Sequence, residues 1–85
     1  MPDVIVYSTD ACPFCERAKA LLSTRGVPFE EINLARDPEG RAALLDRTGM
    51  MTFPQVIIGE ELVGGFQELL RADQSGRLAE LLERD

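Results

Sequence analysis

The sequence predicts an α/β fold, a four-stranded mixed sheet with helices on both faces, in the order β-α-β-α-β-β-α-α. Three patterns point to it. An apolar, β-branched run is followed by a helical pattern and a second extended segment, the order of a parallel βαβ unit. Two further apolar runs are divided by a two-residue turn, the order of a hairpin. The segments between and after them place apolar residues at helical spacing.

The elements follow in order. Val4-Ile5-Val6-Tyr7 is compact and apolar and reads as a buried strand, with Tyr7 packing at its end. Ser8-Thr9-Asp10-Ala11 is a loop of turn and cap formers. Pro13 sits where a helix begins and tolerates the missing N–H. From Phe14 to Thr24 the pattern is helical, with Phe14, Ala18, Leu21 and Leu22 on one face and Gly26 ending the helix. Pro28 to Leu34 alternates and is expected to be a strand, with Phe29, Glu31 and Asn33 on one face and Glu30, Ile32 and Leu34 on the other.

Asp37 is a natural N-cap and Pro38 the first residue of a second helix, whose apolar stripe Ala42, Leu44 and Leu45 supply and which Gly49 closes. Met50-Met51 reads as loop or core filling. Pro54-Gln55-Val56-Ile57-Ile58 is the clearest strand, and Gly59-Glu60 turns it back into Glu61-Leu62-Val63. Gly64-Gly65 breaks the pattern, and a third helix runs from Phe66 to about Ala72. Ser75-Gly76 interrupts it, and Leu78, Leu81 and Leu82 mark a last amphipathic turn or two.

Composition limits the function classes. With 85 residues, the expectation is one domain spanning 1–85, and 45% hydrophobic residues suit a globular chain. A net charge of −6 repels phosphate backbones, so nucleic acid is not an expected partner. No apolar stretch approaches the roughly 20 residues of a membrane span, and no basic n-region opens the sequence, so a cytoplasmic protein is expected. The absence of histidine removes a Cys–His hydrolase. Two cysteines fall short of the four ligands of a structural zinc site, so no metal is expected.

Those two cysteines stand at Cys12-Pro13-Phe14-Cys15, directly after a predicted strand and at the opening of a helix. A disulfide closing so short a loop removes little unfolded-state entropy, which argues against a structural staple. Cys12 lies at the helix N-terminus, where unpaired N–H groups and the macrodipole stabilise a thiolate. Cys15 lies one turn inside, able to close a disulfide with Cys12 but less exposed. Cys12 is therefore the expected nucleophile and Cys15 the resolving thiol of a thiol–disulfide exchange. Asp10 opposes the thiolate, and Arg17 and Lys19 lie on the same helix, so the helix terminus is expected to be the main cause of its activation.

Tyr7, Cys12-Pro13-Phe14-Cys15, Ala18-Lys19-Ala20-Leu21-Leu22, Thr52-Phe53-Pro54-Gln55-Val56 and Gly64-Gly65-Phe66-Gln67-Glu68-Leu69 together resemble the glutaredoxin family, in its dithiol class and small bacterial type. The resemblance covers nearly the whole chain and implies a thioredoxin-like fold. It implies a glutathione-dependent oxidoreductase that reduces protein disulfides and glutathione mixed disulfides. Glutathione is then a co-substrate, with no tightly bound cofactor. Thr52-Phe53-Pro54 resembles the family's TVP segment, with Pro54 expected cis and the Phe53 backbone pairing with glutathione. The helix start at Phe66 and Gln67 is expected to hold the γ-glutamyl carboxylate through backbone N–H groups, and Gly65, Glu68 and Phe14 are expected to bind glutathione beside it.

The chain departs from the family at three places. Thr9 and Met50 stand where basic residues often hold the glycyl carboxylate, and Gln67-Glu68 replaces a double aspartate. The implied partners are accordingly glutathione or another low-molecular-weight thiol, together with disulfide-containing proteins, and the implied state is a monomer. Two alternatives stay open. One is an electron donor recycled by a thioredoxin-type reductase, for instance toward ribonucleotide reductase. The other is an iron–sulfur cluster carrier, in which paired copies share a cluster between cysteine and glutathione thiolates.

Overall fold

A computed structural model describes residues 2–84. Met1 and Asp85, the ends of the expected domain, lie outside the described residues. The elements are β1 (Val4–Ser8), α1 (Pro13–Thr24), β2 (Glu30–Asn33), α2 (Pro38–Thr48), β3 (Gln55–Ile58), β4 (Glu61–Gly64), α3 (Phe66–Ser75) and α4 (Arg77–Leu82). The predicted order holds throughout.

The sheet runs β2-β1-β3-β4. β1 pairs with β2 in parallel, from Ile5 opposite Glu30 to Ser8 opposite Asn33. It pairs antiparallel with β3, and β3 antiparallel with β4. Thus β1 and β3 are central, and every residue of β3 is buried. A strand covered on both faces must be apolar on both, which is why Val56-Ile57-Ile58 shows no alternation.

The pleat sends successive side chains to opposite faces. Val4, Val6, Val56 and Ile58 meet Ala18 and Leu22 of α1, Leu69 and Ala72 of α3, and Leu78 and Leu81 of α4. Ile57 faces the other way, with Leu34 just after β2 and Leu44 of α2, and Tyr7, Ile32, Phe53 and Leu62 pack against them. Helices therefore cover both faces, with one larger and one smaller apolar cluster.

Three sequence expectations shift. β1 reaches one residue further, to Ser8, which pairs with Asn33 and donates its hydroxyl to Glu31 at 2.7 Å. β2 is shorter than the predicted 28–34. Pro28 has no N–H for the ladder, and Leu34 contributes only a last bond from its N–H to the Ser8 carbonyl, at 2.9 Å. Phe14 is not on the buried face of α1; it is 46% exposed on the first turn of the helix. The cap expectation for α2 holds, with Asp37 accepting the Gly40 N–H at 2.9 Å.

Candidate active site

The site assembles at one end of the sheet from the β1–α1 loop, the loop before β3 and the start of α3. Ala11 adopts a left-handed φ of 52°, which turns the chain into Cys12. Cys12 is the extended N-cap of α1, and Pro13 follows as the first helical residue. The Cys15 N–H, which has no helical acceptor, donates to Cys12 Sγ at 3.1 Å. Cys12 and Cys15 are joined by a disulfide, with Cα atoms 5.2 Å apart. The two sulfurs differ in access: Cys15 is 1% exposed, whereas Cys12 is half-buried at the surface.

The loop before β3 stands against this pair. The Phe53–Pro54 peptide bond is cis. The Phe53 carbonyl oxygen lies 3.9 Å from Cys12 Sγ, within reach of a thiol hydrogen once the pair is reduced. Pro54 is buried, Phe53 half-buried and Thr52 exposed. At the third segment Gly65 comes close to the Pro54 carbonyl; a Cβ added there would sit 3.6 Å from that oxygen. Phe66, which opens α3, faces Phe14 with ring centroids 6.0 Å apart. The Arg17 guanidinium sits 5.2 Å above the Phe14 ring.

Most of the residues predicted for the site thus meet: Cys12, Cys15, Phe14, Phe53, Pro54, Gly65 and Phe66. Gln67 and Glu68 sit on the exposed first turn of α3. The Glu68 carboxylate is already engaged, accepting the Gly65 N–H at 2.8 Å. That bond fixes the helix start.

Of the α1 cations, Arg17 sits over the Phe14 ring and Lys19 pairs with carboxylates. Lys19 bonds Glu16 at 2.7 Å and Glu31 at 3.0 Å. The Glu16 and then the Glu31 hydrogen bonds raise its pKa. Glu31 is held below the usual carboxylate range, first by the Ser8 hydroxyl and then by Lys19. Asp10 accepts from Asn33 Nδ2 at 3.1 Å. Among the described residues, the one N–H that reaches Cys12 Sγ is the helix-terminal N–H of Cys15, as the motif's placement predicts.

Sequence reasoning missed Gln55. It is 1% exposed, and its amide bonds the carbonyls of Met50 and Thr52, both at 3.0 Å. A polar residue at the start of an otherwise apolar strand was the available signal. Ala11 left no such signal, since alanine carries no preference for a positive φ.

A sheet that delivers a loop-and-helix Cys-x-x-Cys pair, one sulfur accessible and one sealed, defines a thiol–disulfide oxidoreductase of the thioredoxin-like fold. The family model for glutaredoxin matches residues 4–63. A glutaredoxin of Pseudomonas aeruginosa is 46% identical over 82 residues, covering 96% of this chain and 98% of that protein. Glutaredoxin 3 of Escherichia coli K12 is 39% identical over 83 residues, covering 98% and 100%.

Solved structures agree. The solution structure of glutaredoxin from Brucella melitensis superposes with a TM-score of 0.86 at 46% identity, covering 98% of this chain and 90% of that one. A buckwheat glutaredoxin–glutathione complex gives 0.86 at 32% identity, covering 95% and 76%. The chain belongs to the glutaredoxin family.

Proposed function

We propose that this oxidoreductase reduces glutathione mixed disulfides and protein disulfides, with Cys12 as nucleophile, Cys15 as resolving thiol and glutathione as co-substrate. The observation that carries the reading is the position of Cys12 Sγ, at the surface of the α1 N-terminus, receiving the Cys15 N–H at 3.1 Å and facing the Phe53 carbonyl. A helix terminus favours the thiolate, and a free backbone edge beside it suits an extended cysteine-containing peptide.

The Cys12 thiolate attacks the glutathione sulfur of a mixed disulfide. The substrate S–S bond breaks, the departing thiolate takes a proton from water, and Cys12 is left joined to glutathione. A second glutathione thiolate attacks that adduct, releasing glutathione disulfide and restoring Cys12. One free glutathione is consumed, and the other half of the glutathione disulfide comes from the substrate. With a protein disulfide, Cys12 first forms a mixed disulfide with the protein. Cys15 then displaces the reduced protein and closes the Cys12–Cys15 bond, which two glutathiones reopen.

Glutathione lies against the backbone of Thr52, Phe53 and Pro54. Its γ-glutamyl carboxylate meets the N–H groups of Phe66 and Gln67, and the Phe14–Phe66 pair forms one wall. Gly65 leaves room beside Pro54, and Glu68 acts by fixing Gly65. With Lys19 held by Glu16 and Glu31, and Thr9 and Met50 uncharged, none of these three positions holds the glycyl carboxylate. The glutathione complex of the buckwheat relative supports this ligand. The protein acts as a cytoplasmic monomer.

The test is turnover of a glutathionylated peptide with glutathione and its reductase, comparing wild type, Cys12→Ser and Cys15→Ser. The reading expects Cys12→Ser to be inactive and Cys15→Ser to keep much of the activity. Turnover by Cys12→Ser removes the nucleophile assignment. Turnover only with a thioredoxin-type reductase removes glutathione.

A further inference from the structure

The buried amide of Gln55 closes a ring of hydrogen bonds around the loop that carries Phe53. Its Nε2 faces the carbonyls of Met50 and Thr52, both at 3.0 Å. Two carbonyl acceptors require the NH₂ end there, which leaves Oε1 toward the Thr48 hydroxyl at 2.9 Å. Oε1 and the Leu44 carbonyl, at 3.0 Å, are both acceptors, so the Thr48 hydroxyl shares its single hydrogen between them. The hydroxyl oxygen then accepts the Met50 N–H at 3.1 Å. Met50 is thereby held at both its N–H and its carbonyl, and Thr52 at its carbonyl.

The next residue is Phe53, whose carbonyl faces Cys12. Gln55 lies 1% exposed in β3, beneath the loop and among apolar neighbours, where a polar network fixes one geometry. Met51, at the tip, is 79% exposed and adds little packing of its own.

We propose that Gln55 and Thr48 are positioning residues for the exchange reaction: their closed hydrogen-bond ring holds the Met50–Phe53 backbone where it receives the substrate peptide beside Cys12. Neither side chain touches the sulfurs. Their effect falls on how substrate is presented and not on the reactivity of the thiol. The inference rests on the reading above that Phe53 faces the substrate, and it is independent of which thiol recycles the protein.

The test uses pre-reduced full-length protein in single-turnover reactions with a glutathionylated peptide and, in parallel, with a peptide–peptide disulfide. Variants are Gln55→Met, which keeps the volume and deletes the amide, Thr48→Val, which deletes the hydroxyl, and Thr48→Ser, which keeps it. Half-saturation concentration reports presentation, limiting rate reports chemistry, and iodoacetamide alkylation reports Cys12 alone.

Half-saturation is expected to rise about tenfold in Gln55→Met and Thr48→Val, the scale of one or two misplaced hydrogen bonds. Limiting rate and alkylation stay within about twofold, and Thr48→Ser behaves as wild type. Unchanged half-saturation in both deleting variants overturns the proposal. So does a common loss of all three constants, which marks a purely structural role. If Gln55→Met fails to fold, Thr48→Val against Thr48→Ser decides. Wild type that reduces only the peptide–peptide disulfide refutes the glutathione reading, and that second substrate still tests the ring.

Discussion

Gly64→Ala is expected to destabilise the protein by about 3 kcal/mol, a sum of backbone strain and a lost helix cap. Gly64 ends β4 with φ +121°, a conformation that side-chain-bearing residues rarely adopt, and strain of that kind costs about 1–3 kcal/mol. A Cβ there would lie 2.9 Å from Glu68 Oε1, 3.0 Å from its Cγ and 3.1 Å from its Cβ. Glu68 must swing away and release the Gly65 N–H, a capping interaction worth about 1 kcal/mol. Against a total stability of about 4–13 kcal/mol for a chain this long, the loss is severe.

Urea unfolding followed by far-ultraviolet circular dichroism measures it. With a slope near 1 kcal/mol per molar, the midpoint should fall by about 2–3 M. Glu68→Ala alone should cost about 1 kcal/mol, and the double variant less than the sum, because the clashing Oε1 and Cγ are gone. A midpoint shift under about 0.5 M for Gly64→Ala would refute the strain assignment. Strict additivity of the pair would refute the clash.

Two further outcomes test the packing and the electrostatics. Leu22→Ala opens the larger apolar cluster at a fully buried position and should cost about 3 kcal/mol, lowering the thermal midpoint by roughly 15 °C; a fall under about 5 °C contradicts the placement of α1. Glu31 is held below its ordinary pKa of 4.5 by Ser8 and Lys19, so its contribution is complete above that value and fades as pH falls through the lower folded one. Glu31→Gln should therefore reduce stability near neutrality and flatten the acid limb of the stability–pH curve, and an acid limb identical to wild type contradicts the linkage.

The element order was legible because each boundary has a local chemical cause. Asp37 caps, Pro13 and Pro38 open helices, and Gly59 turns a hairpin. The redox pair was legible for the same reason, since its spacing and its place after a strand lie within a few residues of each other. Part of what was not legible depends on partners distant in sequence. The place of β1 between β2 and β3 is set by pairings across the whole chain.

Phe14 falls at a core position by helical spacing, yet it stands on the open first turn, where Phe66, from the other end of the chain, supplies its contact. Glu68 was read for a ligand; its carboxylate bonds the Gly65 N–H. Gln55 takes its meaning from Thr48, Met50 and Thr52, which the cis peptide at Phe53–Pro54 separates from its strand.

On the proposed function, Cys12 takes up glutathione while Cys15 resolves. Peptide-resolved mass spectrometry of Cys15→Ser, after mixing with a glutathionylated peptide and acid quenching, tests it most directly. One glutathione per chain is expected, joined to Cys12 and released by further glutathione. An unmodified Cys12, or the peptide in place of glutathione on that sulfur, would contradict it.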